Sequence, residues 1–159
     1  MTEVRLSRWQ VFRTRLHLLL AALHRRQTVG ARAVLIDGEK VLLVRHTYTP
    51  GWQFPGGGVE PFETAEAAAG REALEETGYR VTGPGVLHGF FLNRVAGGGR
   101  DHVAVYVWRR CERMREFQPN VEIAECGWFA LAELPDRIER GTAARLREIA
   151  AASTPPAEW

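Results

Sequence analysis

The sequence predicts an α/β fold, and three observations carry that expectation. The stretch from Ala65 to Thr77 is dominated by Ala, Leu and Glu, all strong helix formers, with Thr64 as N-cap and Gly78 just past the end. Two β-rich runs, 29–37 and 40–46, flank Asp37-Gly38, a hairpin turn signal. Residues 86–95 and 102–108 read as further strands, the second with Val103, Val105 and Val107 in alternation, and a closing helix is expected over 142–151.

Composition sets the bounds. At 159 residues, 45% apolar and 25% charged, the chain fits one domain with a substantial core. A net charge of +2 is too small to argue for nucleic acid by itself. The two cysteines, Cys111 and Cys126, have no metal-type spacing and fit buried thiols in a reducing compartment, so a cytoplasmic location is expected. No apolar run approaches the ~20 residues of a membrane span.

Three regions follow along the chain. Residues 1–27 form a basic amphipathic segment, with Leu6, Trp9, Phe12, Leu16, Leu19, Leu20 and Leu23 at helical steps. A signal peptide is disfavoured because His17 interrupts the apolar run and the fold's core starts directly after it. The leading expectation is an extra helix packed on the domain; a homodimer contact, or contact with anionic lipid or RNA, are the other readings. Residues 28–152 form the main domain, and 153–159 are expected to be a frayed tail.

Within the domain, His46 reads as an ordinary strand-end polar residue, while Arg45 could meet a phosphate. Trp52 and Phe54 alternate around Gln53 in a short strand, with Trp52 read as a core residue. Gly56, Gly57 and Gly58 free the backbone for a tight turn and close approach to a ligand. Glu60 and Glu66 read as solvated or peripheral. Arg100, Asp101 and His102 read as a solvated turn, with a place at the border of the substrate mouth as the other reading, and Arg109, Arg110, Arg113 and Arg115 as a solvated basic edge.

The helix at 65–77 carries the chemistry. Glu72, Glu75 and Glu76 stand at i,i+3 and i,i+4 steps and share one face. Like charges so placed repel by roughly 0.2–0.5 kcal/mol per pair, and the helix dipole disfavours anions near its C-terminus. A hard dication such as Mg²⁺ or Mn²⁺ would offset both. From the triad alone, a solvated acidic face is an equal alternative.

The spacing is more specific. Gly57, five residues, Glu63, seven residues and then Arg71-Glu72-Ala73-Leu74-Glu75-Glu76-Thr77-Gly78-Tyr79 resembles the signature of the Nudix hydrolases. Only Ala73 and Tyr79 depart from it, at positions where the family has bulky aliphatic side chains facing the core. The resemblance implies an α/β/α sandwich: a mixed sheet with the 65–77 helix on one side and the C-terminal helix on the other. It also implies a site. Glu72, Glu75 and Glu76 would hold one or more Mg²⁺ (or Mn²⁺), with the backbone of Gly56 beside the metal. Arg71 would tie down the loop and orient a glutamate, with Glu63 holding that arrangement.

Residues 120–135 resemble the family's closing pattern: an acidic loop, a strand bearing Trp128-Phe129, and a short helix ending near Leu134-Pro135. Glu75, Glu122 or Glu125 are the candidates for the base. The implied reaction is Mg²⁺-dependent hydrolysis of a nucleoside diphosphate linked to another moiety, with a small nucleoside triphosphate or nucleotide sugar as the leading substrate. An RNA 5′-end pyrophosphohydrolase is an alternative, weakened because Gly56 stands where that loop expects glutamine. A non-catalytic nucleotide sensor is another, and the complete glutamate set argues against it.

Overall fold

The computed structural model describes residues 28–94 and 101–159. The expected N-terminal helix and most of the expected hairpin tip lie outside the described residues. β1 (Thr28–Asp37) turns at Gly38 into β2 (Lys40–His46). There follow β3 (Trp52–Gln53), β4 (Gly56–Gly58), α1 (Ala65–Thr77), β5 (Tyr79–Val81), β6 (Val86–Asn93), β7 (Asp101–Trp108), β8 (Cys111–Arg113), β9 (Ile123–Ala130) and α2 (Arg140–Ala151).

The sheet is mixed. Its order is β3-β2-β1-β7-β6, with β4 also on β1 and β9 on β2. β1 and β7 run parallel from Thr28↔Asp101 to Leu35↔Trp108, and the other pairs are antiparallel. β1 divides its other edge between two partners: Gly30 to Arg32 pair with β4, and Ile36 and Asp37 with β2. That division brings the glycine loop beside the strand from which the sheet is built.

Alternation along the strands makes two cores. Ala31, Ala33, Leu35 and Leu42 meet Ala68, Ala69 and Ala73 of α1. Alanine on both surfaces lets that helix lie close to the sheet, which explains why the small Ala73 fits there. On the other side, Val34, Ile36, Val41, Leu43, Phe91 and Val105 pack with Leu146 of α2. Trp52 packs against this second core, edge-on to Phe129. The α/β/α sandwich is therefore present. Helix α1 starts where Thr64 Oγ1 accepts from Ala67 N at 3.1 Å, and it ends at Gly78, whose N–H donates to Leu74 O. Both cysteines are free, and burial pushes the Cys126 thiol up to about 12.

Several expectations are corrected. No helix forms near Leu134-Pro135; residues 131–133 are a turn. The backbone beyond it pairs with β3 instead, Trp52 N donating to Arg137 O and Glu139 N to Trp52 O. Residues 153–159 are docked rather than frayed. Leu92, on the edge strand, donates to Ala157 O and accepts from Trp159 N, and the Trp159 ring meets Phe91 edge-on. Asp101 is no solvated turn residue: it opens β7 and accepts from Thr28 Oγ1 and Asn93 Nδ2. Glu66 accepts from the Gly85 N–H at 2.7 Å. Arg115 donates to the carbonyls of Leu74 and Glu75, placing a cation on the α1 C-terminus where its dipole favours one. The short β5–β8 pair was not foreseen.

Candidate active site

Glu76 lies in the last turn of α1 and is 5% exposed. The Gly56 N–H donates to its Oε2 at 2.9 Å. Gly56 has φ 154°, and a Cβ there would fall 2.1 Å from the Ala31 carbonyl, so only glycine lets β4 pass this close to β1. At Gly57 a Cβ would meet Glu72 Oε1 at 2.3 Å. The glycine loop thus admits two carboxylates of α1 against bare backbone.

Arg71 organises the other box residues. Its Nε and Nη2 grip Glu63 in a two-pronged contact, at 3.0 and 3.1 Å. Nη2 also donates to the Gly58 carbonyl, and Nη1 to Glu72 at 2.8 Å and to Glu75 at 3.3 Å. The planar fork suits several such acceptors at once. The contacts raise the Arg71 pKa, first through Glu63 and then Glu72, and Arg71 in turn holds Glu63 below the usual carboxylate range.

The three helix glutamates are therefore not equivalent. Glu72 and Glu75 share Arg71, and Glu75 is largely exposed. Glu76 has other neighbours. His46, Glu76 and Glu122 each offer a ligand atom, all within 4.8 Å of one another. His46 is buried, not an ordinary strand-end residue: its Nε2 is 3.8 Å from Glu76 Oε1 and its Nδ1 has no hydrogen-bond partner among the described residues. It shares the parity of Leu42 and Val44 on β2, so strand alternation turns it toward α1. That parity was the available signal in the sequence.

Glu122 is held by its loop. Asn120 Oδ1 accepts from the N–H groups of Glu122 and Ile123, and Thr47 N donates to Glu122 O. Tyr48 OH lies 3.2 Å from Glu122 Oε1. Glu125, the other loop candidate, pairs with Arg45 instead. Arg45 is therefore occupied by that ion pair.

Arg32, which the sequence reading passed over, donates from Nη1 to the Gly56 carbonyl. A lone arginine inside the run Ala31 to Ile36 was the signal for it. Arg32, His46, Tyr48, Gln53, Gly56 and Glu122 line a cavity of about 390 Å³, bordered also by Asn93 and Asp101.

The electrostatics are uneven. Burial pushes the Glu76 carboxyl up to about 8; the Gly56 N–H and the Arg32 charge oppose this, while Glu72 and Glu122 add to it. Burial, then the Arg32 charge, lowers the His46 pKa below 6.5, with Glu122 acting against them. The shift favours the uncharged imidazole, which can offer a lone pair. The donor set fits a dication: two carboxyl groups, a ring nitrogen, and a buried glutamate with no cationic side chain in hydrogen-bond contact among the described residues.

The α/β/α sandwich sets a buried glutamate against a glycine-rich loop that lines a polar cavity, an arrangement suited to phosphate and a metal ion. The model of the NUDIX domain matches residues 26–150, and the chain belongs to the Nudix family. It is similar to the "Putative 8-oxo-dGTP diphosphatase" of Bacillus subtilis (strain 168), 54% identical over 55 residues, 34% of this chain and 37% of that protein. It is also similar to the CMP-5'-(N-acetyl-N-hydroxy-3-aminopropyl)phosphonate hydrolase of Streptomyces rubellomurinus (strain ATCC 31215), 36% identical over 118 residues, 70% of this chain. The matched segments span 37% and 56% of those two relatives' own lengths. Among solved structures, the MutT NUDIX hydrolase from Burkholderia pseudomallei has a TM-score of 0.68 at 27% identity, covering 77% of this chain and 98% of that one. No helix among the described residues is long and apolar enough to cross a membrane.

Proposed function

We propose that this protein hydrolyses the pyrophosphate linkage of a small nucleotide, a nucleoside triphosphate or a nucleoside diphosphate joined to another group, with a divalent cation, Mg²⁺ or Mn²⁺, at Glu76. The observation that carries this is the buried Glu76 carboxyl, hydrogen-bonded to the glycine loop that lines the cavity and grouped with Glu122 and the His46 imidazole. A site so arranged is costly unless something positive completes it. Glu76 and Glu122 would hold the ion, with Glu72, Glu75 and the Gly56 carbonyl as further oxygens. When bound, such an ion neutralises phosphate charge and makes water a better nucleophile.

The chain's own groups do the rest. Arg71 and Glu63 keep the glycine loop and α1 in one geometry. Arg32 presents a guanidinium to the cavity, where phosphate oxygens would lie. Glu122 or Glu75 takes the proton of the attacking water. The relatives' names support the substrate class, since one carries a nucleoside triphosphate and the other a cytidine nucleotide joined to a phosphonate.

The test is Glu76→Gln assayed on a panel of nucleoside triphosphates and nucleotide sugars with Mg²⁺ or Mn²⁺. We expect kcat to fall about a hundredfold or more, beyond what outer-shell changes at metal sites cause. The melting temperature should hold, because an uncharged amide replaces a carboxyl that burial already favours in its protonated form at neutral pH. An unchanged rate in the folded variant would refute the assignment.

A further inference from the structure

We propose that His46 supplies a nitrogen ligand to this site, so that it takes a first-row transition dication in preference to Mg²⁺. The inference rests on the cation-dependent reading of Glu76 given above and adds a residue outside the signature motif.

His46 is 5% exposed, and its two ring nitrogens are placed differently. Nδ1 is fully buried without a hydrogen-bond partner among the described residues. Nε2 stands 3.8 Å from Glu76 Oε1, beyond hydrogen-bond reach. Buried polar atoms are nearly always paired, and one left bare at a functional cleft points to a missing partner. Alternation along β2 sets the ring on the α1 side. His46 pairs with Ile123 of β9 across a register shift whose extra residue, Ala124, lies on β9.

The neighbours define the ligand's chemistry. His46, Glu76 and Glu122 offer donor atoms within 4.8 Å of one another. One ion with bonds of about 2 Å comes close to spanning that triangle. Two carboxylates with one imidazole suit a transition dication, whereas Mg²⁺ demands oxygen ligands. Phosphate alone does not account for the cluster, because Glu76 and Glu122 would repel it.

The experiment titrates Mn²⁺ into the full chain and follows it by electron paramagnetic resonance, with Mg²⁺ affinity taken by competition. Mn²⁺ binds nitrogen most weakly of the first-row series, so any preference seen with it is a lower bound. Pulsed spectra of the wild-type protein should show ¹⁴N modulation from a directly bound imidazole, replaced by a ¹⁵N pattern after [¹⁵N]histidine labelling. His46→Gln should abolish the modulation and weaken Mn²⁺ about tenfold or more. Its Mg²⁺ affinity should stay within about twofold, since Gln still offers oxygen.

Glu76→Gln should weaken both ions. Mn²⁺ that depends on Glu76 but shows no nitrogen coupling would overturn the inference and leave the proposed function standing. So would equal weakening of both ions by His46→Gln. Mn²⁺ binding indifferent to Glu76 would overturn both readings. The labelled wild-type spectrum keeps the test decisive even if the His46 variant fails to fold.

Discussion

Glu76 and Arg145 are both buried ionisable groups, each on a helix packed against a different face of the sheet, and they are treated in opposite ways. Arg145, on α2, is 2% exposed and fully provided for. Its Nε and Nη2 grip Glu148 at 2.7 and 2.6 Å, and its guanidinium lies 4.2 Å from the centre of the Phe91 ring. His88 Nε2 adds a third contact to Glu148 at 3.0 Å, and Trp159 closes the cluster from the chain's end. Glu76, on α1, has one backbone N–H and a carboxyl pushed up to about 8 by burial. One site spends its polar groups on the fold. The other withholds them, as the proposed cation site would require.

Substitutions at the two places should therefore separate stability from activity. The largest effect on stability is expected from Arg145→Ala, which leaves Glu148 with His88 as its remaining partner and opens a gap beside Phe91. Breaking a buried pair in this way costs about 3–5 kcal/mol, or roughly 10 °C or more in melting temperature for a chain of this size. Scanning calorimetry checks it, and hydrolysis per folded molecule at low temperature should be unchanged. Glu76→Gln should give the reverse pattern of lost rate and kept stability.

Trp159→Ala comes next. It removes an aromatic partner of Phe91 and Arg145 and should cost about 2 kcal/mol. Urea unfolding with an unchanged m-value would record it.

The smallest effect concerns acid. Burial works to raise the Glu148 carboxyl, but the hydrogen bonds and charges of Arg145 and His88 outweigh it and hold the group below 4.5. A folded pKa below the unfolded one gives stability that is present above the unfolded value and lost as pH falls through the folded one. Glu148→Gln should therefore be less stable than wild type at neutral pH, and the gap should close below pH 4.5. A gap that stays constant down to acid would contradict the assignment.

The same contrast explains what could be read from the sequence. Helix α1, its caps and the glutamates at Glu72, Glu75 and Glu76 are local: spacing alone places them on one face. The hairpin of β1 and β2 is local too. What spacing could not tell is that Arg71 gathers Glu72 and Glu75 and leaves Glu76 apart, because that division depends on side-chain reach and on Gly56 arriving from another strand. His46 looked like a strand end because its burial is made by β9, far along the chain. Arg145 and Glu148 stand at an ordinary i,i+3 step. Only the packing of Phe91 and Trp159, residues distant in sequence, turns that step into a buried pair. The docked tail escaped notice for the same reason: its partner is the free edge of β6 at Leu92, which only the sheet order reveals.

The most direct test is anomalous scattering at the manganese edge, from crystals grown with Mn²⁺ and a non-hydrolysable nucleoside triphosphate analogue. The account predicts a peak coordinated by the Glu76 carboxylate, with phosphate oxygens of the nucleotide on its open side. A bound nucleotide with no ion at Glu76, or an ion held only by exposed carboxylates elsewhere, would contradict it.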